Sequence, residues 1–352
     1  MPREKYKSVT LEDIAKKAGV AISTVSRVIN VPTLVKSKNV TKVRLAMEAL
    51  GYDQGSGFVA PENPSPYERR KNESTFAILL LGDITLQWIS QRSHIYMSVF
   101  DGIESALRNQ GANCLIRTIP DESAFEAFVE QKSAVGYFLL RSPDGLTPPK
   151  NLSNYPVVTI LGTQRPSLGD WASYSVSSMG EIASDVLLKS RKQKIFIFRS
   201  TPSPQFNNHR TSLVIEKIRE QRLELRIFED IHLIIRGPNH NHVNQEVISS
   251  FLNQISPEEW KEVGVFTETD MIAYEIHRQL KQKGLSDKEF PIIVSPDYHE
   301  GRFSELRPKI IGIDFHAEEI GKRAADLIRW RIQNKDAVRL HLMIEPTLVK
   351  NN

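Results

Sequence analysis

Residues 10–30 read TLEDIAKKAGVAISTVSRVIN, and this stretch decides the fold of the N-terminal region. Apolar side chains recur at the spacing of one helix face, at Leu11, Ile14, Ala15 and Ala18. Gly19 ends this helix, because glycine readily adopts the left-handed conformation found at helix C-termini. Thr10 can cap the start of the helix, with Asp13 in the place of the usual glutamate of a capping box. A second short helix is predicted from about Ile22 to Asn30.

A third helix is predicted from about Ser37 to Leu50, with Gly51 after it. Two helices joined by a glycine-containing turn form the helix-turn-helix pattern, whose second helix enters the DNA major groove. The second helix carries hydrogen-bonding side chains on one side, namely Ser23, Thr24, Ser26, Arg27 and Asn30. Short hydroxyls suit phosphate oxygens, and a guanidinium can bind guanine through two hydrogen bonds. The alternative is a small three-helix bundle with an ordinary polar face.

The charge of the chain is concentrated at its N-terminal end. Of the 352 residues, residues 1–52 hold ten Lys and Arg against four Asp and Glu, whereas the remainder holds 36 against 38. A basic N-terminal region favours a polyanionic partner such as DNA, although a solvated basic surface would show the same balance. The chain has one cysteine, Cys114, and no apolar run of the roughly 20 residues that a membrane span needs. We therefore expect a cytoplasmic protein with no membrane partner.

Three regions follow from the composition. Residues 1–54 form the predicted DNA-binding domain, residues 55–75 a linker rich in glycine and proline, and residues 76–352 a larger domain. In the larger domain, strand-like apolar runs alternate with helical patterns, which indicates an α/β fold with doubly wound parallel sheets. The strand-like runs lie at 76–81, 113–118, 135–140, 157–161, 195–198, 231–235, 263–266, 292–294, 310–313 and 340–348. This number of strands predicts two lobes with a ligand cleft between them, at the carboxyl ends of the strands.

The stretches VTLEDIAKKAGVAISTVSRVIN (9–30) and KVRLAMEALGY (42–52) closely resemble the lactose-repressor/galactose-repressor family of bacterial transcription regulators. The resemblance continues more weakly to residue 350, through VFDGIESALRNQGANCLI (99–116), TDMIAYEI (269–276) and IIGIDFHAEEIGKRAADLI (310–328). It implies a DNA-binding head and a two-lobed core similar to periplasmic binding proteins. It also implies a homodimer that reads a near-palindromic operator, usually as a repressor.

The resemblance assigns roles to individual residues of the head. It implies that Ile22 and Ser23 select operator bases and that Arg27 points at a base. The residues implied to anchor the DNA backbone or to position the helix are Thr10, Leu11, Thr24, Ser26 and Asn30. Ala21 departs from the family, in which serine usually caps the second helix. The linker GSGFVAPENP (55–64) departs further, because its glycines and Pro61 oppose the short hinge helix of the family.

For the larger domain, the resemblance implies three passages between the lobes, near Val176, near Gly312 and near residue 340. It places Arg210, Asp297 and Phe315 in the cleft, a set that suits a sugar or another polyol. Further candidate contacts are Trp88, Arg92, His94, Tyr96, Arg141, Gln164 and Thr269. The arginines would also tolerate an anionic ligand, such as a sugar phosphate or an acid sugar. The implied target is a carbohydrate-utilisation operon.

Other kinds of chemistry find little support in the sequence. His240 and His242, with His232 nearby, have no cysteine partner, so we expect no metal site. The residues after the first strand, GDIT, match neither nucleotide-binding glycine motif, and no GxSxG is present. We expect no cofactor and no enzyme activity. Two alternatives stay open: a regulator that is tuned by a protein partner, with a vestigial cleft, and a solute-binding transport protein.

Overall fold

A computed structural model describes residues 10–30, 35–50, 74–82, 85–92, 94–131, 133–141, 150–162, 166, 168–199, 209–229 and 245–349. The chain divides into two compact units, residues 1–72 and residues 73–352. We call the first unit the head and the second unit the core. The predicted linker at 55–75 lies outside the described residues except for its last two positions, 74 and 75. The stretch 55–64, whose glycines and Pro61 oppose a hinge helix, is therefore not described.

The described part of the head contains three helices, α1 Leu11–Ala18, α2 Ile22–Asn30 and α3 Ser37–Ala49. Thr10 and Asp13 form the predicted capping box at the start of α1. The Asp13 backbone N–H donates to Thr10 Oγ1 at 3.2 Å, and the Thr10 N–H donates to Asp13 Oδ2 at 2.9 Å. Gly19 has a φ of +64°, which confirms its role as the left-handed residue at the end of α1.

A small apolar core holds the three head helices together. Its buried members are Ile14, Ala15, Ala18, Val25, Val28, Val43, Ala46 and Met47. These residues recur at helical spacing, but Ile22, which the same spacing placed inward with Val25 and Val28, is exposed. Because so few apolar side chains are available, each one contributes a large share of the stability of the head.

The described residues of the core form two six-stranded sheets. The strands are β1 Thr75–Leu81, β2 Asn113–Ile119, β3 Gly136–Arg141, β4 Val157–Ile160, β5 Asp170–Tyr174, β6 Lys194–Phe198, β7 Glu224–Phe228, β8 Val263–Thr267, β9 Ile292–Ser295, β10 Ile311–Asp314, β11 His341–Ile344 and β12 Thr347–Leu348. The first sheet, lobe 1, has the order β11-β5-β4-β3-β1-β2, and the second, lobe 2, has the order β12-β10-β9-β8-β6-β7. All described pairings are parallel except that of β10 with β12, so the doubly wound α/β fold is confirmed.

Helices connect these strands and cover the sheets. They are α4 Leu86–Arg92, α5 His94–Asn109, α6 Glu122–Glu130, α7 Val176–Lys189, α8 His209–Glu220, α9 Gln245–Leu252, α10 Asp270–Gln282, α11 Glu300–Phe303 and α12 Ala317–Gln333, with short 3₁₀ helices at Lys150–Asn154 and Pro257–Glu262. Helices α5 and α12 cross closely at two glycines. A Cβ on Gly102 would lie 2.0 Å from the Glu318 carbonyl oxygen, and one on Gly321 would lie 2.1 Å from that of Val99. No helix among the described residues is both long enough and apolar enough to cross a membrane.

The chain passes between the lobes three times. The passages follow β5 at Ser175, follow β10 at Phe315, and separate β11 from β12 at residues 345–346. In each lobe the first strand lies between the second and the third, so the strand order reverses at the same place in both sheets. Such reversals open a crevice at the carboxyl ends of the strands, where doubly wound proteins bind ligands.

The sequence patterns missed β5 and β7. The β5 sequence DWASY contains Asp170 and Ser173, and both are fully buried. Arg331 binds the Asp170 carboxylate through two hydrogen bonds of 2.7 Å, and Ser173 donates to the Gly162 carbonyl at 2.9 Å. Partners that lie far away in sequence therefore make this polar strand compatible with the interior. The strand that was expected at 231–235 lies outside the described residues.

Candidate functional site

The second helix of the head presents a polar surface with one apolar exception. Ser23 and Arg27 are exposed, Thr24 and Ser26 are half-buried, and Ile22 is also exposed. Arg27 forms no ion pair with any described residue. Asn30 is the last residue of α2, and its side chain is outside the described part of the chain. Thr10 and Leu11, the other predicted DNA contacts, lie at the start of α1.

Ala21 precedes α2 and offers no side-chain cap. Its carbonyl oxygen accepts hydrogen bonds from the backbone N–H groups of Thr24 at 2.8 Å and Val25 at 3.2 Å. The alanine side chain cannot accept from the first N–H groups of the helix, and such a lost cap costs about 1 kcal/mol.

In the core, charged and aromatic side chains converge where the strands of the two lobes end. Lobe 2 supplies Glu268 and Asp270 after β8, Asp297 after β9, and Arg210 from the first turn of α8. Lobe 1 supplies the first turn of α5, with His94 and Tyr96, and Tyr174, the last residue of β5. Phe315 lies at the second passage between the lobes. We call this group of residues the cleft cluster.

Arg210 is the centre of the cleft cluster. Its Nη1 donates to Asp297 Oδ2 at 2.8 Å and to the Glu268 carbonyl oxygen at 3.2 Å, and its Nε donates to the Tyr174 hydroxyl at 2.6 Å. Burial disfavours the charged guanidinium and by itself would lower the pKa of Arg210. Asp297 and Tyr174 stabilise the charged form by more, so the pKa of Arg210 is raised. Arg210 is therefore a permanent cation that is held by both lobes.

Two aromatic rings lie beside this cation. The rings of Tyr174 and Phe315 stack in parallel, with centroids 3.8 Å apart and planes 6° apart, and the guanidinium carbon of Arg210 lies 5.3 Å from each centroid. Burial raises the pKa of the Tyr174 hydroxyl to about 12, and burial also raises the pKa of Tyr96 nearby. Both phenols are therefore neutral near pH 7, and each can both donate and accept a hydrogen bond.

Asp297 has spare hydrogen-bonding capacity. Its Oδ2 pairs with Arg210, whereas its buried Oδ1 has no hydrogen-bond partner among the described residues. Its backbone adopts a φ of +59°, which is uncommon for a residue other than glycine. An unsatisfied buried acceptor and a strained backbone are features that cluster at ligand sites. The Oδ1 atom can accept a hydrogen bond from a ligand hydroxyl.

A second set of contacts joins the lobes through His94. Its Nε2 lies 3.1 Å from the Tyr298 carbonyl oxygen, its Nδ1 lies 3.9 Å from Asp270 Oδ2, and its ring centroid is 4.3 Å from that of His299. The Nε2 atom must donate to the carbonyl, so neutral His94 has an unprotonated Nδ1 that faces Asp270. Arg302 also forms an ion pair with Asp270.

The charge state of Asp270 reflects these surroundings. Burial raises its pKa to about 7, the Asp297 carboxylate adds to this rise, and Arg302 opposes it. Burial lowers the pKa of His94 and that of His299. Near neutral pH, the interface between the lobes therefore contains a neutral histidine next to a partly protonated carboxylic acid.

Some predicted contacts take no described part in the cleft cluster. The side chains of Trp88, Arg92 and Arg141, and all of Gln164, lie outside the described residues. Thr269 caps α10, because its Oγ1 accepts from the Ile272 N–H at 3.5 Å. Several residues in the cluster or in contact with it were not predicted from the sequence as ligand contacts. They are Tyr174, Glu268, Asp270 and Arg302. Position just after a strand was the only available signal, and it applied to Glu268 and Asp270.

The described residues contain no group of three or more His, Cys, Asp or Glu side chains that could hold a metal ion. His232, His240 and His242, which the sequence analysis considered as ligands, lie outside that part of the chain. The cleft cluster instead offers one cation, carboxylate oxygens and phenol hydroxyls. This combination suits a small molecule with several hydroxyl groups.

Known proteins are similar to this chain both in the head and along the core. Residues 10–54 match the family model "Bacterial regulatory proteins, lacI family". The ribose operon repressor of Bacillus subtilis (strain 168) is 23% identical over 351 residues, covering 97% of each chain. The transcriptional repressor PurR of Vibrio atlanticus (strain LGP32) is also 23% identical, covering 97% of this chain and 98% of its own.

Solved structures share the fold at lower identity. The Lac repressor bound to operator and an anti-inducer has a TM-score of 0.61 at 17% identity, covering 98% of both chains. The transcriptional regulator CelR in complex with cellobiose has a TM-score of 0.59 at 19% identity, covering 97% of this chain and 98% of its own. The helix-turn-helix head, the paired doubly wound lobes and the similarity along the whole chain agree. Residues 10–54 thus match the lacI family of bacterial regulatory proteins, and the chain as a whole is similar to repressors at 23% identity.

Proposed function

We propose that the protein is a sequence-specific DNA-binding repressor whose operator affinity is set by a small, sugar-like molecule in the cleft between the lobes. The observation that carries this proposal is the cleft cluster itself, at the switch point of both sheets and attached to a helix-turn-helix head. Asp297 Oδ1 is a buried acceptor with no partner among the described residues, while Asp297 Oδ2 pairs with Arg210, which also donates to the Tyr174 hydroxyl. An unsatisfied acceptor among charged and hydroxyl groups suits the recognition of ligand hydroxyl groups.

The proteins that are similar to this chain support the same reading. Two are named repressors, and one solved structure contains cellobiose while another, from Enterococcus faecium, contains ribose. The Lac repressor dimer is bound to its operator. By analogy, we propose that this protein acts as a homodimer on a near-palindromic operator of a carbohydrate-utilisation operon. It acts through binding, not catalysis, and it needs no cofactor.

Selection of random DNA duplexes with the full-length protein tests the first half of the proposal. We expect enrichment of a two-fold related sequence whose half-sites are separated as two heads of a dimer require. Duplexes recovered without any shared sequence would contradict the repressor function. Arg27→Ala serves as the comparison variant, because an exposed arginine on α2 should affect sequence preference and not folding.

Thermal melting of the protein in the presence of sugars tests the second part of the proposal, that a sugar-like molecule binds in the cleft. A ligand at 100 times its Kd should stabilise the protein by about 2.7 kcal/mol. A sugar that raises the melting temperature should also change operator affinity, and Asp297→Asn should remove both effects while DNA binding without sugar is kept. If no sugar acts and the regulator still binds its operator, a protein partner becomes the better explanation of its control.

A further inference from the structure

The first residue of α2, Ile22, has the apolar spacing of that helix but is not buried with its other apolar residues. Val25 is 0% exposed and Val28 is 5% exposed, and both belong to the core of the head, whereas Ile22 is 49% exposed. Ile22 begins α2 directly after the uncapped Ala21. Its side chain therefore projects from the N-terminal end of the second helix and not into the core of the head.

Polar residues surround this exposed isoleucine on the same helix. Ser23 and Arg27 are exposed, and Thr24 is half-buried. In helix-turn-helix proteins, the N-terminal residues of the second helix meet base edges in the major groove. These three neighbours can form hydrogen bonds or ion pairs there, whereas Ile22 can form only apolar contacts.

The chemistry of the groove limits what Ile22 can contact favourably. Every base edge in the major groove presents hydrogen-bond donors or acceptors, and only thymine adds a methyl group, at C5. An aliphatic side chain placed over a donor or acceptor would remove water from it without replacing the hydrogen bond. The β-branched side chain of Ile22 also loses little conformational freedom on binding, because its χ1 is already restricted in a helix.

We infer that Ile22 reads a thymine by packing on its C5 methyl, at one position in each half-site of the operator. This inference rests on the proposed function, since it requires α2 to enter the major groove. It adds the identity of one base pair to that function. The two residues of α2 would then have different roles: Arg27 supplies a hydrogen-bonding contact, and Ile22 supplies an apolar contact to a methyl group.

The test uses the full-length protein and the operator that emerges from selection of random duplexes. Each thymine is replaced by deoxyuridine, one position at a time and in both half-sites together, which removes only the methyl group. We expect one position per half-site at which affinity falls by about fifteenfold, because two buried methyl groups are lost and each is worth about fourfold. Ile22→Ala should bind thymine and uracil equally at that position, and Ile22→Val should keep most of the discrimination.

Leu45→Ala is the matched control, because Leu45 is also an exposed aliphatic residue, at 59%, but lies on α3. This variant should discriminate thymine from uracil as the wild type does. An operator with no position sensitive to the methyl group would overturn the inference while leaving the repressor function intact. Discrimination that persists in Ile22→Ala would also overturn it. Failure to select any operator would overturn the repressor function and this inference together.

Discussion

Asp297 Oδ2 lies 2.8 Å from Nη1 of Arg210, although 87 residues separate the two in sequence. Asp297 follows a strand of the second sheet, and Arg210 lies in the first turn of the helix that follows another strand of the same sheet. The pair is mostly buried, with side-chain exposures of 10% and 18%. Because Arg210 also contacts Tyr174 of the other lobe, the pair links the geometry of the cleft to the relative position of the lobes.

Removing the carboxylate from this pair should destabilise the protein strongly. Asp297→Ala leaves the Arg210 cation buried without its counter-charge, which costs about 3–5 kcal/mol in comparable pairs. Urea unfolding of the variant and the wild type measures the difference. Asp185→Ala is the control, because Asp185 pairs with Lys189 on an exposed helix surface and should contribute less than about 1 kcal/mol. Equal losses for the two variants would show that the buried pair has no special role in stability.

The raised pKa of Asp270 predicts a pH dependence of folding. The acid is protonated below about pH 7 in the folded protein but only below about pH 4 when unfolded. The contribution of Asp270 to stability is therefore fully present at low pH, and it is lost as the pH rises from about 4 to about 7. Over that window, the free energy of unfolding should fall by about 1.4 kcal/mol per pH unit relative to Asp270→Asn.

Urea unfolding of the wild type and Asp270→Asn at several pH values between 5 and 8 gives this difference directly. The comparison is necessary because His94 and His299, whose pKa values burial lowers, contribute with the opposite sign in both proteins. Parallel stability curves for the two proteins would contradict the assignment of a raised pKa to Asp270.

The close crossing of α5 and α12 predicts that Gly102 tolerates no side chain. The Cβ of an alanine there would lie 2.0 Å from the Glu318 carbonyl oxygen, so the helices would have to separate. Such overpacking costs about 1–3 kcal/mol, measurable as a lower melting temperature of Gly102→Ala. Glu104→Ala, on the exposed side of the same helix, should change the free energy of unfolding by less than about 0.5 kcal/mol.

Because the guanidinium of Arg27 is exposed on α2, we expect its removal to reduce both the affinity for the operator and the preference for its sequence. Arg27→Ala should weaken operator binding by about 1–3 kcal/mol and relax one base position in each half-site. Titration of labelled operators that vary at each position measures both effects. Lys16→Ala, an exposed change on α1, should leave base preference unchanged. Unaltered preference in Arg27→Ala would remove this residue from base recognition.

The local pattern of apolar and capping residues in the sequence determined the helices of the head and most of the strands of the core. Helices α1 to α3 follow from apolar residues three and four apart, and the capping box at Thr10 follows from residues three positions apart. These features depend on contacts within one or two helical turns, so the order of residues alone specifies them. The resemblance to a known family then placed Arg210, Asp297 and Phe315 in one region, and the structure brings these three together.

Only the tertiary structure decided which partner each side chain has. It paired Arg331 with Asp170, which makes a polar strand buried, and it brought His94 of one lobe to Asp270 of the other. It also left Ile22 outside the core of the head, although Ile22 continues the apolar spacing of its helix. Burial and long-range pairing depend on how the elements pack in space, and no local spacing in the sequence carries that information.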